Sequence, residues 1–428
     1  MIVHNGGPGA RIDQATLFPF DDRSVPLRYR VRSGLSTPEN PGGPQVCVRP
    51  GEAGSPDAVG ILFYGTVLRV EDEFRMWYVG VGEDVESGGG LRVCYAVSRD
   101  GINWNKPVLG LVEYNGNSQN NLVAYDHDDA AAALVLYEPE DPDPNRRFKL
   151  ICEVNPWTIC AAYSPDGLRW TDSPYNPILK HNDVEPGGLM KFGDCYYLTG
   201  QGGRCGTKRA LVTYLSYDFD HWADAVCIGL RHDVPPFQQM PGGHAGEQIH
   251  LGTSLWNRGN VILGLFGQWH GEHNDRTLLT MDLGFVVSND GLHYVEPIPG
   301  FQMIVGWELQ KVVRQGRKRY LGDLPFPTPT LMQGQGFENF GEETMTWYSP
   351  WKGPFICVAR WTRDRLGYCE VVAERGPERR IHPRWEKLPG GKIDPHVISA
   401  PIQLDRPARV YVNASGLSEP KFRTLKSE

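Results

Sequence analysis

Residues 98–104 of the chain read Ser98-Arg99-Asp100-Gly101-Ile102-Asn103-Trp104. Related stretches begin at Ser164, Ser216 and Ser288 and, in a more divergent form, at Thr362, so that successive copies are 52 to 74 residues apart. Each copy follows a short apolar run, and Asp-Gly between two strand-like runs is a strong signal for a β-hairpin. Hairpins at this spacing predict an array of small sheets rather than a solenoid, whose repeats are shorter.

The sequence before each copy supplies further strands. In the first repeat, residues 60–70 and 73–79 are apolar runs separated by Glu71-Asp72, which predicts an inner strand A, a turn and a strand B. We therefore predict an all-β fold, a five-bladed β-propeller with four antiparallel strands per blade. A two-sheet sandwich is the alternative, but it does not explain one hairpin signature per repeat. The expected blades are about 59–107, 121–175, 183–226, 247–297 and 328–374.

The chain extends beyond the blades at both ends. Residues 1–58 are rich in Pro and Gly and are expected to wrap or close the propeller, which itself takes residues 59–380. Residues 381–428 are expected to add β-strands to the array. The strands predicted outside the blades are 16–20, paired with 27–31, and 397–403 and 408–413 in the tail.

Composition limits the partners. A net charge of −8 and a pI near 5.9 argue against nucleic acid or an anionic membrane as the partner. The nine Cys form no C-x-x-C pair, which favours free buried thiols in a reducing compartment. The sequence begins without a signal-peptide pattern, so a cytoplasmic location is the default expectation, with a secreted or periplasmic one left open. The oligomeric state is not predicted.

The position of each acidic residue in a blade decides its expected role. The aspartates of the repeated stretch form turns on one face of the disc, and turn chemistry alone explains them. Side chains at the start of strand A face the central axis from the opposite rim, so they are expected to converge. These side chains are Asp57 before blade one, Asp183 and Glu185 in blade three, Glu247 and His250 in blade four, and Gln333 and Gln335 in blade five.

Converging carboxylates suit glycoside hydrolysis, which needs one protonated acid and one ionised carboxylate. We therefore expect Glu247, Glu185 and Asp183 to be catalytic, with a carbohydrate as substrate and no cofactor. The loops between strands B and C open on the same rim and offer aromatic and polar groups for a sugar. They contribute Trp269, His270 and His273 in blade four, and Arg204 and Arg209 in blade three. A metal site at His270 and His273 is the less favoured interpretation, because no regular element fixes their spacing.

The repeated Ser-x-Asp-Gly-x-x-Trp stretches, together with Phe74-Arg-Met-Trp-Tyr78 and the Pro-rich run 139–148, resemble the five-bladed propeller glycosidases related to glycoside hydrolase families 32, 43 and 68. The resemblance covers residues 15–375 and is nearest to a divergent bacterial branch. It implies removal of a terminal furanosyl sugar by an Asp in blade one, a stabilising Asp and a Glu acid. Blade one departs from that pattern, because its strand has Phe63-Tyr64-Gly65 where the family has the Asp nucleophile. Asp57, which lies before the strand, matches that position poorly.

The resemblance assigns the stabiliser or base role to Asp183 or Glu185 and the acid role to Glu247. Two alternatives stay open beside a hydrolase. A glycoside phosphorylase of the same fold would bind phosphate through Arg204, Arg209 or His250. A carbohydrate-binding propeller that has lost catalysis would explain the missing blade-one Asp.

Overall fold

A computed structural model describes most of the chain. The described ranges are 1–40, 44–84, 90–127, 129–154, 158–180, 184–202, 209–225, 227–232, 245–271, 279–306, 330–351, 355–372 and 395–414. Within them the regular structure is β-strand with 3-10 turns, such as the one at Pro144–Arg146, and no α-helix. The prediction of an all-β fold is confirmed. Across the same ranges, no helix has the length and apolar character needed to cross a lipid bilayer.

The first part of the chain forms three antiparallel meanders, in which each strand pairs with the next. A short strand, β13 (Leu179–Lys180), pairs with Thr158 and Ile159 at the edge of the second meander. Meander 1 contains β5 (Gly60–Val70), β6 (Glu73–Val81), β7 (Leu91–Ser98) and β8 (Trp104–Asn105). Meander 2 contains β9 (Leu134–Tyr137), β10 (Phe148–Val154), β11 (Thr158–Ser164) and β12 (Thr171–Asp172). Meander 3 contains β14 (Glu185–Phe192), β15 (Cys195–Gly202), β16 (Ala210–Ser216) and β17 (Ala223–Asp224).

Two further meanders follow. In meander 4, β18 (Gly246–Thr253) and β19 (Trp256–Asn257) both pair with β20 (Ile262–Gly271), which pairs with β21 (Thr280–Ser288). Meander 5 contains β22 (Leu331–Phe340), β23 (Glu343–Pro350) and β24 (Ile356–Thr362). Its outermost strand comes from the other end of the chain, because β4 (Gln45–Val48) pairs with β24. A single parallel pair, Gln335 with Thr66, joins the inner strands of meanders 5 and 1.

The hydrophobic core lies between the meanders. One cluster of buried side chains fills each boundary between successive meanders, and another fills the boundary between meander 5 and meander 1. Examples are Trp77 with Leu150, Ile151 with Leu198, Met190 with Phe266, Leu265 with Tyr348, and Phe63 with Val358. The sheets therefore pack face to face in a cycle, which buries both faces of each inner strand.

The terminal strands pair differently from the prediction. We expected residues 16–20 to pair with 27–31, and this is wrong. The strand β2 (Leu27–Tyr29) pairs with β26 (His396–Ile398), and β3 (Val31–Leu35) pairs with β25 (Gly367–Val371). Phe18 and Phe20 are instead buried against Phe285, so packing with meander 4 fixes this segment.

The tail also differs from its prediction. The described tail forms β26 and β27 (Ile402–Gln403), and β27 pairs with β1 (Ile2–Val3). Residues 408–413 were expected to be a strand, but they form none, and Val410 is 87% exposed. Alternating apolar residues gave the wrong prediction here because such a pattern forms a strand only where a sheet edge is available to pair with it.

The repeated stretch forms a wider turn than a two-residue hairpin. Ser98 pairs with Trp104, so five residues, 99–103, connect β7 to β8. Ser98 Oγ accepts the backbone N–H of Gly101 at 2.9 Å, and Asp100 Oδ1 accepts those of Ile102 and Asn103 at 2.8 and 2.7 Å. The same serine and aspartate contacts recur at Ser164, Ser216 and Ser288, with Asp166, Asp218 and Asp290. These contacts confirm the turn role.

The divergent copy at Thr362 is an exception. The strand that follows it, β25, pairs with β3 and not with β24. Asp364 has a left-handed φ of 58°, and its side chain accepts a 2.6 Å ion pair from Arg258. The fifth copy therefore ends meander 5 without a hairpin, which leaves the outer position beside β24 to β4.

Candidate active site

Two inner strands, β14 and β18, lie unusually close together. A Cβ placed on Gly187 would lie 1.5 Å from the carbonyl oxygen of Leu251, and one on Gly188 would lie 2.1 Å from that of Thr253. Only glycine permits this approach, because any larger residue would overlap backbone atoms. Residue numbers rise together along both strands, so their first residues lie at the same end.

Strand β18 begins earlier than the sequence predicted. We expected the inner strand of this repeat to start at Leu251, but it starts at Gly246 and pairs with β20 from that residue onward. Leu251 and Gly252 have left-handed φ angles of 55° and 60°, so the pairing shifts between His250 and Thr253. The bulge divides the apolar run and places Glu247 within the strand instead of before it.

Glu185 is the first residue of β14 and is partly buried. The side-chain N–H of Gln201 donates to Glu185 Oε2, and Gln201 Oε1 accepts the backbone N–H of Leu251 at 3.0 Å. One glutamine thus connects the Glu185 carboxyl group to the backbone of the strand that carries Glu247.

Glu247 pairs with His270 directly across strands β18 and β20. Its Oε2 lies 2.6 Å from His270 Nδ1, and its side chain is 53% exposed. His270 Nε2 lies 3.5 Å from Asp282 Oδ2, which is an ion-pair contact rather than a well-formed hydrogen bond. Asp282 and Glu247 together raise the pKa of His270 to about 9, against the opposing effect of burial. The imidazole is therefore charged at neutral pH.

Asp282 is a residue that our sequence interpretation missed. It lies in β21, where its side chain is 12% exposed. Its carboxylate accepts the side-chain N–H of Gln302 and the backbone N–H of Gly306, each at 2.6 Å. The available signal was an acidic residue within the apolar run 279–287, which is costly to bury unless it is paired.

A second missed acid is Glu153, at the end of β10. It is 5% exposed, and burial followed by repulsion from Asp129 raises its pKa to about 7. Burial also raises the pKa of Asp129. The pair lies where meander 2 adjoins residues 155–157, which are outside the described ranges.

The aromatic plate expected from Trp269 is buried in the described structure. Residues 268–271 belong to β20 and not to a loop, and Trp269 is 1% exposed. The Arg209 guanidinium carbon lies 4.2 Å from the Trp269 ring centroid, and Arg209 Nη1 donates to Gln248 Oε1 at 3.3 Å. The His250 ring, from a 4% exposed residue, lies 5.8 Å from the Trp269 ring. These four side chains pack against one another.

The predicted binding glutamines are also internal. Gln333 is 2% exposed, and its side-chain N–H groups donate to the carbonyl oxygens of His250 and Gly252 at 3.2 and 3.4 Å. Gln335 is 5% exposed, and its Oε1 accepts the backbone N–H of Leu189. Both amides therefore connect inner strands of different meanders.

Asp57 lies apart from this group. It is 1% exposed, and it accepts hydrogen bonds from Gly51 N at 3.0 Å, Tyr78 OH at 2.7 Å and Lys106 Nζ at 2.5 Å. Asp57 is therefore the acidic partner of a buried ion pair with Lys106, and it joins meander 1 to the segment that precedes it.

Three predicted site residues, Asp183, Arg204 and His273, lie outside the described residues, so their roles stay predictions. Among the residues that the structure does describe, no group of three or more His, Cys, Asp or Glu side chains is arranged to hold a metal ion.

The chain matches no protein-family model and no curated protein. It is similar in structure to a protein of Parabacteroides distasonis assigned as a glycoside hydrolase, with a TM-score of 0.51 and 13% identity over 76% of this chain and 97% of that one. A second structure has a TM-score of 0.50 and 13% identity over 77% of this chain and 95% of its own. It is described with the GH130 family of mannoside phosphorylases, which contains glycoside hydrolases that target β-1,2 mannosidic linkages in Candida mannan.

A GH32 β-fructofuranosidase of Bombyx mori has a lower TM-score of 0.45, with 15% identity over 74% of this chain and 61% of its own. At 13% identity, the likeness to the first two structures shows a shared fold. The resemblance to families 43 and 68 stays a prediction.

Proposed function

We propose that this protein is a glycoside hydrolase built on a five-bladed β-propeller, and that Glu185 and Glu247 act on a terminal sugar at the end of the inner strands. The five meanders are its blades, and the cycle of hydrophobic clusters between them supports this arrangement. The likeness in fold to the two structures above makes a carbohydrate substrate the natural choice.

The observation that carries the proposal is the alignment of β14 with β18. Gly187 lies beside Leu251, and residue numbers rise together along the two strands. Counting back two residues along both strands places Glu185 about level with Ile249. Glu247 is two residues closer to the rim, or about 7 Å at the usual rise per strand residue. This offset along the strands is compatible with the separations between carboxyl groups that glycosidases use.

The contacts of each carboxyl group suggest its role. Glu247 Oε2 lies 2.6 Å from the charged imidazole of His270, so we assign Glu247 as base or nucleophile and not as the acid that the resemblance implied. We assign proton donation to Glu185, whose Oε2 accepts the Gln201 N–H. Asp183 is the alternative donor.

In this mechanism the Glu185 proton passes to the glycosidic oxygen as the bond to the anomeric carbon breaks. Glu247 either removes a proton from the attacking water, or it attacks the anomeric carbon itself and forms a glycosyl ester, which water then cleaves with the deprotonated Glu185 as base. The first route inverts the anomeric configuration and the second retains it. The furanosyl specificity implied by the resemblance, and the β-1,2 mannosides named with one similar structure, define two substrate classes to test.

The test is an activity screen on aryl furanosides, aryl pyranosides and β-1,2-linked mannosides with wild-type protein, Glu185→Gln and Glu247→Gln. Each variant should lower kcat/KM at least 100-fold, because each removes a group that takes part in bond cleavage. Asp194→Asn is the matched control, since Asp194 is an exposed turn residue at the opposite end of β14. Unchanged turnover in either Glu variant would contradict the site.

The same screen separates the alternatives. Running each reaction with and without inorganic phosphate tests for a phosphorylase, whose sugar phosphate product appears only with phosphate. Sugar binding by calorimetry without turnover of any substrate would indicate a carbohydrate-binding propeller instead.

A further inference from the structure

His270 lies between two carboxylates that come from different strands. Glu247 approaches its Nδ1 from β18, and Asp282 approaches its Nε2 from β21. The three residues form a line across the sheet from the partly exposed Glu247 side chain to the nearly buried Asp282.

The inner end of this line is fixed. Asp282 cannot rotate freely, because Gln302 and the backbone of Gly306 donate to different oxygens of its carboxylate. His270 is itself a strand residue, so the pairing of β20 with β18 sets its position opposite Glu247. The outer end, Glu247, has solvent on its other side.

We propose that Asp282 and His270 are positioning residues that hold the Glu247 carboxylate in one orientation. This role rests on the proposed function for its catalytic consequence, whereas the charge state of His270 does not. A single exposed ion pair would contribute little, because two mobile side chains lose conformational freedom to form it. An anchored imidazolium has already lost that freedom on folding, so it orients Glu247 at less cost.

The other charged groups near this line do not replace Asp282. On β20, the neighbouring side chain on the same face is Gln268, which is neutral and donates towards Glu296 at 3.5 Å. Glu296 is itself paired with His232 at 2.8 Å. Arg209 lies over the Trp269 ring, which is on the opposite face of β20. In the described residues, Glu247 and Asp282 are therefore the carboxylates in contact with His270.

The arrangement predicts how each substitution acts. Asp282→Asn removes the inner negative charge but keeps an oxygen that can accept, so the imidazole loses a proton more readily. A neutral His270 attracts Glu247 less, and the carboxylate then samples more orientations. Catalysis should fall through kcat more than through KM, because the orientation of the base affects bond cleavage more than sugar binding.

The first experiment follows the titration of His270 by NMR with histidine labelled at 13Cε1, in wild-type protein and in Asp282→Asn. His270→Gln identifies the resonance. We expect the wild-type pKa near 9 and a fall of about 1 or more in Asp282→Asn. The matched control is Asp290→Asn, because Asp290 pairs with His293 at 2.8 Å and lies in the turn beyond the far end of β21. It should leave His270 unchanged.

The second experiment measures kinetics. Asp282→Asn should lower kcat about tenfold with KM changed less than twofold, and it should move the alkaline limb of the pH profile to lower pH. His270→Lys, which keeps the positive charge, should retain more activity than His270→Gln.

If wild-type His270 titrates near 6.5, or if its pKa is the same in Asp282→Asn, the proposed pairing of His270 with Asp282 is wrong whether or not the protein is a hydrolase. If instead the titration behaves as expected and no sugar is turned over, the proposed function fails and the pairing stands. If turnover occurs and Asp282→Asn leaves kcat unchanged, the positioning role is refuted.

Discussion

The indole Nε1 of Trp77 donates a 2.7 Å hydrogen bond to the carbonyl oxygen of Gly167. Trp77 belongs to β6 of meander 1, and Gly167 lies in the Asp-Gly turn of meander 2. Trp347 of meander 5 repeats the contact at 2.9 Å to Gly101, in the turn of meander 1. The repeated stretch therefore has two structural roles: it reverses the chain direction, and its glycine carbonyl oxygen accepts a hydrogen bond from the tryptophan of the adjacent sheet.

We expect Trp77→Phe to lower the free energy of unfolding by about 2 kcal/mol, because it leaves the Gly167 carbonyl oxygen without its buried donor and removes ring volume. Trp170→Phe is the matched control. The Trp170 indole N–H has no hydrogen-bond partner among the described residues, so the same substitution there loses no such bond. Urea titrations of both variants measure the difference. Equal destabilisation would show that the Gly167 contact contributes nothing.

The turns were predictable because their determinants are local. Ser98, Asp100 and Gly101 lie within four residues, and their contacts depend on no distant part of the chain. Gly101 has a φ of 73°, which glycine adopts without strain. In the third copy, Phe219 takes the same position with a φ of 71°, so the surrounding contacts can impose this conformation on a larger residue.

These turns should also contribute to acid sensitivity. Burial acts to raise the pKa of Asp100, but the hydrogen bonds from Asn103 and Ile102 lower it to about 2. Because the pKa of Asp100 is lower in the folded state than in the unfolded state, its carboxylate stabilises the fold above pH 3.8, the pKa in the unfolded state. This stabilisation is lost as the pH falls towards 2. Asp100→Asn should therefore cost about 1 kcal/mol at pH 7, a figure that allows for solvent screening, and almost nothing at pH 2.

Thermal unfolding at pH 7, 4 and 2 measures this difference. Asp194→Asn serves as the control, because Asp194 lies in an exposed turn between β14 and β15. A penalty for Asp100→Asn that stays constant across these pH values would argue against an ionised turn aspartate.

The candidate site was less predictable than the turns. The sequence singled out Glu185, Glu247 and His270, because polar residues beside an inner strand are visible in the sequence. It could not show that His270 lies opposite Glu247, because that register depends on the bulge at Leu251 and Gly252. Asp282 was missed because its partners, Gln302 and Gly306, come from a later segment of the chain.

A partly buried acid, Glu338, lies at the other end of the inner strands and gives a third prediction. Burial raises the pKa of Glu338 in β22 to about 7, although Arg69 acts in the opposite direction. Folding therefore favours the protonated form, so this group contributes most below the unfolded value of 4.5 and the stability falls as pH rises towards 7. Glu338→Gln removes this loss, because glutamine does not ionise. The change that it causes in the free energy of unfolding should therefore be about 2 kcal/mol more favourable at pH 8 than at pH 4.

Denaturant titrations at pH 4 and pH 8 test this reversal. Glu342→Gln is the control, since Glu342 lies in the exposed turn that follows the same strand. If Glu338→Gln has the same effect at both pH values, its carboxyl group is not held protonated by the fold.

The close approach of β14 and β18 gives the last prediction. Gly187→Ala would place a methyl group 1.5 Å from the Leu251 carbonyl oxygen, so the strands must separate. We expect a loss of about 3 kcal/mol in the free energy of unfolding, because overpacking against backbone cannot be relieved by a side-chain rotation. Separating the strands also lengthens the two hydrogen bonds by which Gln201 joins Glu185 to Leu251. We therefore expect kcat to fall by more than the loss of folded protein accounts for. Gly193→Asn, in the open turn at the other end of β14, is the matched control. Activity measured on the folded fraction decides the point: a variant that is destabilised but fully active would mean that the distance between these strands does not govern the site.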